Sequence, residues 1–518
     1  MGYVRRTGRE RPALSRPRGL LGILTLAAVS CVLGSCAVGP NFKRPAAPTA
    51  KDYGVASDPL DTVRSEGPGG EPQRLVPGAD LPAQWWSLYK SPALNALIER
   101  SLQDNADLKA AQAALAQAHE LYKAQRASYL PSVQGGFAAT RAKNAVGTIA
   151  NPTSLPQTNP YYDLYTAELT VSYLPDVFGG TRRMVEAARA QEESSRFQLE
   201  ATYLSLTANV VVTAIQEASL RGQIAATEQL LGLQHRLTET VRAQRSLGTA
   251  SQLDILTQEA AEQQTAATLP PLEKQLGQTR DALTALLGRL PSEEPSERFD
   301  LDTLELPTDI PLIVPSTLIE RRPDVRAAEA NLHVASAEVG VAIADMLPQF
   351  NINGQWGSDS LALKQLFGPY TSFWQLGGSL TQALFDGGAL LHRKRAADAA
   401  LDQAAAQYRQ AVILACQNVA DALRALKADA AALHANTEAE RAAKALLELT
   451  RRQHALGTVS AVALMAAEQV YRQAELSTVQ ARASRYADTA ALFQALGGGW
   501  WNRAEESHRI ASTGARHE

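Results

Sequence analysis

With 518 residues, a formal net charge of −3 and only three cysteines, the chain lacks the basic excess of a nucleic-acid binder and the thiols of a disulfide framework. Taking away residues 1–35 removes six arginines and one glutamate and leaves about −8, so nucleic acid is excluded as a partner more firmly still. The eight histidines show no metal-ligand spacing, and no serine elbow or Gly-rich phosphate loop follows a strand, so neither catalysis, nor a metal, nor a cofactor is indicated.

The chain begins with Arg5, Arg6, Arg9, Arg11, Arg16 and Arg18, then an apolar run over 20–33 that is too short to span a bilayer. This is the pattern of an export signal. Leu33-Gly34-Ser35-Cys36 closes it in an order that resembles a bacterial lipobox. The expectation is a signal peptide over 1–35 and a mature N-terminus at Cys36 bearing N-acyl and S-diacylglycerol groups; an unmodified cysteine is the plainer alternative. More than one acyl chain suffices for stable anchoring. Cys31, within the apolar run, is the weaker candidate. Residues 36–80, rich in Pro and Gly, read as an extended linker from the lipid. Cys416, on an Ala-rich helix, reads as a small buried residue.

An internal repeat organises the remainder. Leu130-Pro131, Phe178-Gly179-Gly180, Ser246-Leu247-Gly248-Thr249 and Leu286-Leu287-Gly288 return as Leu347-Pro348, Phe385-Asp386-Gly387-Gly388, Ala455-Leu456-Gly457-Thr458 and Ala495-Leu496-Gly497. The repeats occupy 81–288 and 323–497, with an equatorial linker over 289–322 and a tail over 498–518. Between each Leu-Pro and its Gly-Gly the pattern has period two. Tyr165, Ala167, Leu169, Val171 and Tyr173 alternate with Thr166, Glu168, Thr170 and Ser172, while Phe350, Ile352 and Trp356 alternate with Asn351, Asn353 and Gln355. Strands are expected near 132–146 and 161–177, then near 349–358 and 371–384. Residues 151–160 and 358–370 are their hairpin loops, the second with a short helical turn over 361–366. A half-buried soluble sheet and a membrane barrel wall share this alternation.

From each Gly-Gly the chain reads as helix. Residues 181–247 and 389–456 contain no proline and are rich in Ala, Leu, Glu, Gln and Arg; at about 1.5 Å per residue each is roughly 100 Å long. Shorter return segments complete hairpins over 181–288 and 389–496, and helices over 107–129 and 323–347 make up the missing length. Pro270-Pro271 should kink or break the first return helix. A pair of such helices retains uncovered apolar surface, and four strands cannot close a barrel, so several copies in a ring solve both shortages.

The lipobox run into Ala37-Val38-Gly39-Pro40-Asn41-Phe42, the segment from Trp85-Trp86 to Leu97-Ile98, residues 318–332 (LIERRPDVRAAEANL) and Ala383-Leu384-Phe385-Asp386-Gly387-Gly388 resemble the TolC-like outer membrane factors, specifically the NodT-type efflux lipoproteins. The resemblance implies a mixed, mainly α fold: an outer-membrane β-barrel continuous with a long periplasmic α-helical barrel, formed by a homotrimer of internally duplicated chains. It also implies a passive exit duct in the bacterial outer membrane, embedded in outer membrane lipid. The implied partners are a periplasmic adaptor (membrane fusion) protein and an inner-membrane efflux transporter of resistance-nodulation-division type. A protein-secretion duct and a non-pore envelope spacer lipoprotein are the alternatives. Arg321-Arg322-Pro323-Asp324 reads as structural, with proline at the first helical position and Arg322 paired to a carboxylate.

The hairpin tips carry the site expectations. Leu247, Gly248, Thr249, Leu456, Gly457 and Thr458 sit where the long helices reverse; the glycines suit helix termination, and relatives meet their adaptor at these points. In several relatives acidic groups near the inner helix ends narrow the periplasmic mouth, but the aligned positions here are Ala466 and Thr257. Asp254, Arg451 and Arg452 are therefore the gate candidates, against the plainer reading of exposed helix charges.

Overall fold

A computed structural model describes residues 2, 37–50, 52–54, 61–143 and 161–503. Cys31, Cys36, the first hairpin loop and residues 504–518 lie outside the described residues. The helices are α1 (Pro92–Asp104), α2 (Ala106–Arg126), α3 (Gly180–Ser246), α4 (Gln252–Ala266), α5 (Leu269–Leu286), α6 (Pro315–Arg321), α7 (Pro323–Ala344), α8 (Ala389–Ala455) and α9 (Ala461–Ala495). The strands are β1 (Arg74–Pro77), β2 (Ser132–Lys143), β3 (Tyr161–Tyr173), β4 (Asp309–Leu312), β5 (Gln349–Ser360) and β6 (Ser372–Thr381). Among the described residues no helix is long and apolar enough to cross a membrane.

Contacts divide the chain into two units, the first comprising residues up to 42, 121–189 and 333–402. It holds an antiparallel sheet in the order β2-β3-β5-β6. The register sorts side chains by row. Gln134, Thr170, Gln355 and Gln375 stand side by side on one face, and the next residues, Gly135, Leu169, Trp356 and Trp374, stand on the other. One face is thus polar and the other apolar, with Val133, Phe137, Trp374, Leu376 and Leu380 all exposed in the single chain. Among the described residues β2 and β6 end the sheet with unpaired edges. The β5–β6 loop contains a 3-10 turn at Leu363–Gln365.

Both long helices start with the same device. The Asp176 carboxylate accepts the amides of Thr181 (3.0 Å) and Arg182 (2.8 Å); Asp386 accepts those of Gly388 (2.8 Å) and Leu390 (2.7 Å). The amide bonds from Leu390 and Gly388 hold the Asp386 carboxyl below the usual range. Gly179, at φ 80°, lets the N-terminal segment pass, since a Cβ there would lie 2.6 Å from the Ala37 backbone. Arg183 holds that segment through the Val38 carbonyl (3.1 Å) and the Asn41 Oδ1 (2.7 Å), and Phe42 stacks on His333 with centroids 4.3 Å apart.

The second unit contains the helical hairpins and the equatorial core. Trp85, Tyr89, Tyr486 and Phe493 are fully buried; Trp85 packs on Phe493 at 5.6 Å, and Tyr89 donates to the Tyr486 carbonyl at 2.9 Å. Residues 61–77 are not an extended strap as expected. β1 pairs in parallel with β4, and the turn before it is clamped by Arg485, which is fully buried. Its guanidinium donates to the Gly69 carbonyl (2.8 Å), the Glu71 carbonyl (2.7 Å), Thr62 Oγ1 (3.0 Å) and Gln73 Oε1 (3.4 Å). The glycines that suggest a loose linker bring carbonyls to this cation instead.

Other differences are local. The break in the first return helix falls at Ala267 and Thr268, ahead of the prolines, because Pro270 and Pro271 sit in the first turn of α5, where no amide donor is needed. Arg322 pairs side-on with Asp324, through Nε at 3.0 Å and Nη2 at 2.6 Å, and its Nη1 donates to the Ala495 carbonyl at 3.1 Å. Cys416 is half-buried rather than buried.

Candidate docking tips and inner helix ends

The two tips close alike. At the first, Gly248 adopts φ 76°, its amide donates to the Arg245 carbonyl (2.9 Å), and the Thr249 amide reaches back to the Gln244 carbonyl (3.0 Å). At the second, Gly457 adopts φ 75°, with the matching bonds to His454 (2.9 Å) and Gln453 (3.0 Å). These are the paired bonds of a Schellman motif, and they need a residue at ease in the left-handed region. Thr249 and Thr458 add their hydroxyls to the same carbonyls, each at 2.9 Å. Helix α4 then starts with Ser251 as its cap and α9 with Ser460, whose Oγ accepts the Ala463 amide at 3.2 Å.

What this bonding leaves over is apolar. Leu247 is 78% exposed and Leu456 79%, with Leu253 and Leu256 exposed beside the first. Inside the tips, Leu237, Val241 and Ile255 form a small core against which Ala250 and Met465 pack. Rigid turns therefore present outward-facing leucines from a packed base.

The gate candidates do not come together as one cluster of free charges. Asp254 belongs to a capping box: its carboxylate accepts the Ser251 amide and hydroxyl, both at 2.7 Å, which hold it below the usual carboxylate range. Arg451 of α8 pairs with Glu468 of α9 at 3.3 Å. Arg452 is exposed. Sequence reading missed the braces above the tips, where Arg242 bridges Glu239 (2.5 Å) and Glu259 (2.6 Å), and Glu262 accepts from Thr238 (2.6 Å). Acid-base pairs three residues apart on one helix were a visible signal; those crossing a hairpin were not.

A family profile described as outer membrane efflux protein matches residues 97–289 and 314–498. The chain belongs to that family. Among its relatives, the probable efflux pump outer membrane protein TtgC of Pseudomonas putida is 26% identical over 493 residues, covering 95% of this chain and 98% of that one. The pyoverdine export outer membrane protein OpmQ of Pseudomonas putida is 29% identical over 422 residues, covering 81% and 89%. Among solved structures, the outer-membrane channel OprN superposes with a TM-score of 0.77 at 29% identity, covering 90% of this chain and all of that one. In this family the mixed fold, mainly helical with a small sheet, is the fold of a membrane channel.

Proposed function

We propose that this outer membrane efflux protein is the exit duct of a tripartite pump, anchored through lipid on Cys36 and passively releasing small molecules handed over by an inner-membrane transporter and a periplasmic adaptor. The observation that carries the reading is the four-stranded sheet: apolar on one face, polar on the other, and open at both edges. A wall of that kind is completed by strands from further copies, which gives a lipid-facing exterior and a wet lumen. Three copies make the duct. The adaptor docks at Leu247, Gly248, Thr249, Leu456, Gly457 and Thr458, where apolar side chains stand exposed.

The purified full chain should form trimers and conduct in a planar bilayer; a trimer without conductance would favour a spacer. Replacing Leu247 and Leu456 by Asp should leave the trimer intact and abolish adaptor crosslinking and efflux, and normal export would remove the docking assignment. The gate is assigned to Asp254, Arg451 and Arg452, with the Arg451–Glu468 pair holding α8 to α9. Unchanged single-channel conductance in Asp254→Ala and in the Arg451→Ala, Arg452→Ala pair would remove that assignment. Mass spectrometry of the N-terminal peptide decides the lipid at Cys36.

A further inference from the structure

Among the described residues the polar face of the sheet carries charge of one sign. Along its rows, Gly136, Glu168, Gly357 and Phe373 are neighbours, and Asp359 stands opposite Thr166 in the next row outward. Asp359 is therefore diagonal to Glu168 on the same face, at the usual diagonal spacing of about 7–8 Å. Among the described residues of β2, β3, β5 and β6 the basic side chains, Arg141 and Lys143, are on the other face, where Arg141 lies 3.8 Å from Asp163 and Lys143 stands over the Tyr161 ring at 5.3 Å. Lys364 lies off the wall, on the β5–β6 loop.

Asp359 is exposed and Glu168 half-buried, and the residues directly opposite Glu168 are small. Glycines flank it on both adjoining strands; a Cβ at Gly357 would come within 2.9 Å of the Glu168 Cα, and one at Gly136 would lie 3.8 Å from its Cγ. Neither directly opposed residue has a side chain to pair with the carboxylate. Among the described residues neither Glu168 nor Asp359 has a side-chain hydrogen bond or an ion pair. Unpaired like charges on a concave wall raise the local concentration of counter-ions and exclude co-ions, and the more so at low salt. Phe373, in the same row as Glu168, adds an apolar surface two strands away, roughly 10 Å by strand spacing.

We propose that Glu168 and Asp359 set the charge preference of the duct, so that its outer barrel favours small organic cations with an apolar part over anions. The assignment rests on the duct reading, in which three copies line one lumen. It is tested on the full-length protein in planar bilayers by the reversal potential under a concentration gradient of KCl, and then of tetraethylammonium chloride.

Wild-type channels should favour the cation in both salts, and more strongly as ionic strength falls. The Glu168→Gln, Asp359→Asn double substitution should cut the permeability ratio by about half or more, whereas Asp163→Asn, on the opposite face, should leave it unchanged. Should the double variant form no channels, the single substitutions Glu168→Gln and Asp359→Asn must each lower the permeability ratio. Open channels without a cation preference, a reversal potential unmoved by neutralising both groups, or an equal shift from Asp163→Asn would overturn the assignment while leaving the duct. Absence of conductance in wild type would remove both.

Discussion

Replacing Arg485 by methionine, which keeps much of the stem volume, should separate the 61–73 segment from α9. The side chain is fully buried and supplies the donors for four acceptors on that segment, two of them main-chain carbonyls at Gly69 and Glu71. A carbonyl left without a donor, buried at Gly69 and partly buried at Glu71, costs up to about 1–3 kcal/mol, and the segment can recover part of this by swinging into water. A net loss of about 3–5 kcal/mol follows for the equatorial unit. Arg485→Lys keeps the charge but not the fork that reaches all four acceptors, so it should cost about half as much. The assay is twofold: thermal unfolding in detergent, and limited proteolysis over 61–73, where the native turn is closed by the Ser65 amide on the Gly70 carbonyl at 2.8 Å. If Arg485→Met unfolds with wild type and its 61–73 segment resists protease equally, the clamp does not hold the segment.

Burial and then the Asp488 carboxyl opposite push Asp429 up to about 7; a raised acid binds its proton better folded than unfolded, so stability should fall as pH rises from about 4 to 7 and level off above. Asp429→Asn should flatten that slope in melting curves, and an unchanged slope would contradict the shift. Arg280→Met should cost about 3 kcal/mol, because Glu217, fully buried and bonded to Arg280 (2.6 Å) and Arg221 (2.8 Å), would keep one cation of two; an unaltered melting midpoint would speak against it. Gly457→Ala strains a residue at φ 75° but meets nothing within 4 Å, so its cost should be about 1 kcal/mol and local. Faster amide exchange at Gly457 and Thr458 with an unshifted melting midpoint is the expected readout.

The long helices were legible because their signal is local: no proline, strong helix formers and a glycine just past each end. The expected 181–247 and 389–456 differ from Gly180–Ser246 and Ala389–Ala455 by a residue at the ends. The β1–β4 pair gave no comparable signal. Each strand has four residues, one of them proline, and a parallel pairing between residues 74 and 309 is fixed by packing around them rather than by periodicity. The 61–73 segment failed for a related reason. Its Gly and Pro content describes what the chain does when free, and Arg485, more than four hundred residues later, decides otherwise.

At the tips, hydrogen bonding separates residues that sequence order alone left mixed. Gly248, Thr249, Ser251 and Asp254 all serve helix ends, as do Gly457, Thr458 and Ser460 in the second repeat. Ser-x-x-Asp at 251–254 is a capping signature, so a local structural role for Asp254 was readable before any gate was considered. The second repeat makes the same start on α9 with Ala463 in place of that acid, which shows the carboxylate to be an addition to the turn and not a requirement of it. Leu247 and Leu456 are different. They occupy the same place in both turns, are exposed to nearly the same degree, and neither closes a helix nor fills the small core beneath. An apolar side chain exposed at the same place in two turns that close alike has no role in closing either turn, and it is what the proposed docking of an apolar partner would cover.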